Sequence, residues 1–223
     1  RSFNMTFLEQ QDLVLYWLDD VDAGYFSRTQ VKRWLNNAQQ EVQKVLEQAF
    51  EGYFIKCVET TLVLNQREYE LPTDFKRLHR IEVVLDGTTF QNQSVQLLGK
   101  ITPNQQDALA RSGIPIGYYF KGTQLIMVPC PNVAKTLRME YCYRLSDLVN
   151  DSDVSEIPKQ FHEYSSLLAA RDGFLKDGRN ADLLQKKIDD YETGLKRDAE
   201  ERNVDAPRTV TQTIFDENSD EWY

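Results

Sequence analysis

Around residue 52 the spacing of apolar side chains changes from three or four to two. Before it, Val31, Trp34, Leu35, Ala38, Val42, Val45, Leu46, Ala49 and Phe50 recur at helical steps with polar residues between them. That spacing puts one apolar stripe along a helix of about six turns. Ser27 precedes it and Gln30 follows three residues later, a pattern in which each residue caps a backbone N–H near the helix start. The pattern predicts an end near Gly52. After it comes "KCVETTLVL", rich in β-branched residues, which pack well on a pleated surface and poorly in a helix. A chain with both periods in series is predicted to be α+β.

Residues 56–145 read as a β-rich unit. "NQRE" is a turn, and "YELP" ends a strand because Pro72 has no N–H to give a central ladder. "HRIEVVLDGTTFQ" reads as a strand running into an Asp86-Gly87 hairpin turn. Residues 102–113, "TPNQQDALARSG", predict a short helix with Thr102 as cap and Pro103 in its first turn. "IPIGYYFKGTQLIMVPCP" predicts a hairpin turning at Lys121-Gly122, and "KTLRMEYCYRL" places Leu137, Met139, Tyr141 and Tyr143 on one face.

Helical periods flank this unit. On the N-terminal side, "TFLEQQDLVLYWLDD" predicts a short helix whose stripe is Phe7, Leu8, Leu13, Tyr16 and Trp17, broken at Gly24. On the C-terminal side, a helix is predicted from Pro158 to Gly178, with Phe161, Tyr164, Leu167, Leu168 and Phe174 or Leu175 as its stripe. Another starts at Asn180 and buries Leu184, Ile188, Tyr191 and Leu195. The predicted fold is therefore a helical bundle of N-terminal and C-terminal helices, residues 5–54 and 155–203. It carries a β-rich insertion at 55–154 and an extended C-terminal docking tail at 204–223. That tail contains Pro207, alternates in "RTVTQTIF" and ends acidic and aromatic.

The 223 residues allow a sizeable core, and no run of about 18 apolar residues predicts a membrane span. A formal net charge of -9 argues against general affinity for DNA phosphates. Met5 is a candidate start with four residues ahead of it, and "RSFNMTFLEQ" lacks the long apolar segment of a signal peptide. Three cysteines without a C-x-x-C spacing fit synthesis in a reducing cytoplasm. Cys57, Cys130 and Cys142 all fall in β segments, where each is read as a small buried hydrophobe.

No catalytic motif emerges. His79 and His162 are far apart in sequence and are read as surface or capping residues. No phosphate loop, dinucleotide fingerprint or nucleophile elbow occurs. Asp147, Asp151 and Asp153 resemble a cation loop only loosely, and a solvated loop is the plainer reading. Neither cofactor nor metal is expected, and no residue stands out as catalytic. Arg28, Lys32, Arg33 and Asn36 near one helix start offer the best case for DNA readout, against an acidic remainder. Trp17 and Trp34 read as core residues. Trp222 lies beyond the last helix and reads as a docking anchor.

Taken in order, several segments resemble the head-to-tail connector, or adaptor (head-completion), proteins of tailed bacteriophages. They are "VKRWLNNAQQEV", "EYELPTDFKRLHRIEV", "SGIPIGYYFKGTQLIMVPCP", "LRMEYCYRLSDL" and "IPKQFHEYSSLLAARDGFLKDG". The resemblance covers residues 5 to about 202. It implies a structural virion protein without enzyme activity at the head-tail interface, forming a ring, usually of twelve copies, beneath the portal protein. Genomic DNA would pass through its centre without sequence-specific binding. Its partners would be the portal, tail or further connector proteins and other copies of itself. The resemblance also implies that the C-terminal tail reaches the portal; "RTVTQTIF" is read as adding a strand or lying extended along the portal, and Val210, Thr211, Ile214, Phe215, Trp222 and Tyr223 are the expected contacts with portal or neighbour. The alternative is a tail-side completion or stopper ring, or another virion scaffold protein.

Overall fold

The computed structural model describes residues 5–50, 52–86, 93–102 and 112–203. Within them the fold is mixed α+β, with four α-helices and ten strands. The helices are α1 (Phe7–Trp17), α2 (Arg28–Ala49), α3 (His162–Lys176) and α4 (Asp182–Asn203). The strands, β1 (Ile55–Thr61) to β10 (Thr136–Tyr143), all fall between α2 and α3.

Both early helices start from reciprocal caps. Ser27 and Gln30 form the expected capping box on α2, and Thr6 with Glu9 forms another on α1. On α2 the predicted stripe holds: Val31, Leu35, Ala38, Val42 and Leu46 are buried, with Trp34, Val45 and Phe50 packed at its margin.

The stripe expected on α1 holds in part: Phe7 is buried and Trp17 packs against the core. Tyr16 is 66% exposed and Leu8 38%, while Phe7, Gln10, Gln11, Val14 and Leu15 are buried. Two glutamines on the inward face hid that face from a reading based on apolar spacing. On α3, Leu175 is 64% exposed and Phe174 takes the inner place. Ser165, Ser166, Ala169, Ala170 and Gly173 are also buried, because α3 packs against α1, α2 and α4. On α4, Leu184, Ile188 and Leu195 are buried and Tyr191 partly so, as predicted.

The strands form two four-stranded sheets. One has the order β1-β10-β3-β4, where β3 is Phe75–Asp86 and β4 is Ser94–Leu97. The other has the order β2-β8-β7-β5, with β2 (Glu68–Glu70), β5 (Gly99–Lys100), β7 (Gly117–Lys121) and β8 (Gln124–Val128). A short parallel pair joins β6 (Ser112–Gly113) to β9 (Cys130–Pro131). Ile81, Val83, Leu137, Met139 and Tyr141 from the first sheet meet Tyr69, Leu125 and Met127 from the second in one buried cluster. The predicted β7–β8 hairpin turns at Gly122, whose φ of +61° is the left-handed conformation a tight turn needs. Pro72 does fall just after a strand, and β2 is an edge of its sheet.

Residues 87–92, which include the rest of the Asp86-Gly87 turn, lie outside the described residues, as does most of the helix expected at 102–113. β3 and β4 do pair antiparallel, as a hairpin requires. The cysteines do not behave alike. Cys142 is buried, Cys130 half-buried and Cys57 exposed, which corrects the expectation for Cys57. Cys57 lies on the edge strand β1, on the face away from the shared core, so its strand position did not imply burial.

Candidate functional site

The joint between helices and strands is built from amides. Asn36, Gln39, Gln40 and Gln43 occupy one flank of α2, at spacings of three, four and seven that bring side chains together on a helix. The chain leaving β10 runs past them. Asn36 Nδ2 donates to the Leu148 carbonyl at 3.0 Å and Asn36 Oδ1 accepts from the Leu148 N–H at 2.8 Å. Gln43 spans two residues instead, donating to the Tyr143 carbonyl at 2.6 Å and accepting from the Leu145 N–H at 3.3 Å. Between them Gln39 donates to the Ser146 carbonyl and Gln40 to the Leu145 carbonyl, each at 2.9 Å. Ser155 closes the set by donating to Gln39 Oε1 at 2.6 Å. The four amides give residues 143–148 the partners that a neighbouring strand would supply, and so meet the need of buried backbone for hydrogen bonds. The signal was present in "NNAQQEVQ", where amides recur at helical spacing.

The C-terminal end of α2 locks onto the first sheet by charge. Lys76 Nζ lies 2.8 Å from Glu47 Oε1. The Cys142 thiol donates to that same oxygen at 3.1 Å. Burial, with the Glu47 carboxylate second, pushes the thiol up to about 11, so it stays protonated near neutrality. Nearby, burial first and the bond to Asp74 second push Tyr141 up to about 12. A third polar element crosses the outer face of the first sheet. Arg138 on β10 bridges Glu59 on β1 at 2.8 Å and Glu82 on β3 at 3.1 Å, its cross-strand neighbours. These groups fasten elements together, and their chemistry is structural.

His162 is not a surface residue. It is 1% exposed at the start of α3, and its Nε2 donates to the Ile157 carbonyl at 2.8 Å. Burial holds its pKa below the ordinary imidazole value. His79 is exposed on β3, where the pairing with β10 slips between Glu140 and Tyr141. The acidic loop is satisfied from within. Asp153 Oδ2 accepts from the Val149 and Asn150 N–H groups, and Asp151 pairs with Lys32 at 2.7 Å. Among the described residues no group of three His, Cys, Asp or Glu is placed to hold a metal ion.

The cations proposed for DNA readout are mostly engaged elsewhere. Arg28 pairs with Asp12, Lys32 with Asp151, and Asn36 is committed to Leu148. Of the four, Arg33 alone has no partner among the described residues. Side chains bound into the fold in this way are poorly placed to reach base edges.

What stays open is surface for other proteins. β1 pairs with β10 on one side and has no strand partner on its other side among the described residues. Lys56, Cys57, Glu59, Thr60 and Thr61 along it are exposed. The tail residues Val210, Thr211, Ile214, Phe215, Trp222 and Tyr223 lie outside the described residues.

The described residues thus offer a joint fixed by amides and an open strand edge. The chain belongs to the SU10 adaptor protein family, whose model matches residues 5–212. It is thus a bacteriophage adaptor, a structural component of the virion that interacts with other virion proteins. No curated protein matches it.

Proposed function

We propose that the chain is a head-to-tail adaptor that assembles as a ring, with twelve copies as the expected number, beneath the portal. Family membership over residues 5–212 carries the reading. The open edge of β1 supports it. A closed ring repeats one heterologous interface, and an unpaired edge is a surface on which a neighbouring copy can add a strand. On this reading the helices of 5–54 and 155–203 form one unit, and residues 55–154 form the insertion that meets neighbours. Residues 206–223 reach the portal through Val210, Thr211, Ile214, Phe215, Trp222 and Tyr223. The net charge of -9 suits a channel wall along which DNA phosphates slide without sticking.

The test is electron microscopy of the purified chain, alone and mixed with the portal from the same genome. A ring stacked on the portal, lost on deletion of residues 206–223 while the fold survives, is the expected result. Normal attachment of the truncated chain would overturn the role of the tail. A ring that ignores the portal but binds a tail-tube protein would move the chain to the tail side, as a completion or stopper ring.

A further inference from the structure

Between the first turns of α2 and the last turn of α3 runs a groove lined by Gln30, Arg33, Trp34, Asn37, Leu175 and Lys176. Its floor is aromatic. The rings of Phe26 and Trp34 meet edge to face at 5.6 Å, and Tyr25 packs on Phe26 at 4.7 Å. Leu175 in the lining is 64% exposed, and Tyr25, packed beyond Phe26, is 66% exposed, so apolar surface faces solvent in and beside the groove. Lys176 Nζ sits over both rings, 5.6 Å from Phe26 and 5.8 Å from Trp34. Neither Arg33 nor Lys176 has a carboxylate partner among the described residues. The groove's own acid, Asp172, lies 3.5 Å from Arg171. Two cations without a carboxylate partner, one of them over aromatic rings, fit a segment that is both acidic and aromatic.

The chain contains one. Residues 216–223, "DENSDEWY", carry Asp216, Glu217, Asp220 and Glu221 and then Trp222 and Tyr223. We propose that this segment docks in the α2–α3 groove of its own chain before the adaptor meets its partners. The reach is sufficient. α4 has 22 residues, so Asn203 lies roughly 33 Å along its axis from the short loop that follows Lys176. Residues 204–215 span at most about 40 Å when extended. Charge also selects among grooves. A second one, between α4 and the start of α3, carries Glu163, Asp190 and Asp198 against Lys187 and repels such a segment. A latched tail keeps its aromatic anchors off other chains until a better site competes for them. The latch concerns the free chain, so its failure leaves portal attachment untouched.

The test is carbodiimide coupling of the full chain at low concentration, using an equal mixture of ordinary and nitrogen-15 protein. The Lys76–Glu47 pair, at 2.8 Å, serves as the internal yardstick. Expected is an amide joining Lys176 to Asp216, Glu217, Asp220 or Glu221 within one isotopic chain. Lys176→Arg removes it, and Arg33→Glu lowers its yield by roughly two- to fivefold, the weight of one exposed ion pair. Coupling of Lys76 to Glu47 with no link from Lys176 to the tail would overturn the proposal. So would a link joining light to heavy chains, because the occupant would then be the tail of a second copy.

Discussion

Asn36 holds both backbone polar groups of Leu148, 112 residues away in sequence. The side-chain amide donates to the carbonyl at 3.0 Å and accepts from the N–H at 2.8 Å. A primary amide can bridge the N–H and C=O of one residue, as a paired strand does, because it carries a donor and an acceptor side by side. Asn36→Ala is expected to cost about 1–3 kcal/mol, since both bonds go and a partly buried peptide is left without partners. Asn36→Asp keeps the acceptor but turns a carboxylate oxygen toward the Leu148 carbonyl, so it should be no milder. Urea unfolding measures both, and an unchanged midpoint for Asn36→Ala would show that water replaces the amide freely.

The cysteines should separate by reactivity. Cys57 is exposed, whereas Cys142 is buried, hydrogen-bonded to Glu47 and pushed up to about 11. Since the thiolate is the reactive form, at pH 8 only about one Cys142 in a thousand is reactive, before burial slows it further. Labelling with a thiol reagent followed by mass spectrometry should modify Cys57 first and leave Cys142 intact until the protein is unfolded. Fast labelling of Cys142 in the native chain would contradict the packing of α2 on β10.

Two helix glycines should respond in opposite directions to alanine. A Cβ at Gly173 would stand 2.6 Å from Leu18 Cδ2, and Leu18 is only 1% exposed. Overpacking there should cost about 1–3 kcal/mol, more than the helix propensity regained. At Gly194 on α4 a Cβ meets nothing within 4 Å. Gly194→Ala should therefore stabilise the chain by about 0.5–1 kcal/mol. Thermal melts of the two variants test the pair. A drop in melting temperature for both would show that the α4 face is covered.

His162 makes stability fall on mild acidification. Burial, helped by Lys159, holds its folded pKa below the ordinary value of 6.5, although the bond to Ile157 works the other way. The unfolded chain therefore binds the proton more readily. The stabilising contribution is complete above about pH 6.5 and is lost progressively as pH falls from there toward the folded value. His162→Gln should flatten the stability-pH curve in that window, whatever it does to stability at pH 8. A wild-type curve that is already flat there would remove His162 as the cause.

The strongest local signals were legible in the sequence. The Ser27–Gln30 cap, the α2 stripe, the Gly122 hairpin and the inward face of β10 all follow from short-range periodicity and turn chemistry, because neighbours along the chain set them. Local pattern did not show which face of α1 turns inward, that His162 is buried, or that Cys57 faces solvent. Nor did it show that four amides on α2 would serve the backbone of residues 143–148. Burial of a glutamine or a histidine depends on what stands opposite it, and here the opposite groups lie five to more than a hundred residues away. Sequence by itself determined the helix-strand-helix order of the described elements and the family. Only the tertiary structure decided which polar side chains are spent inside the fold and which, like Arg33 and the edge of β1, remain available to a partner. Satisfying a buried polar group is a property of the folded neighbourhood.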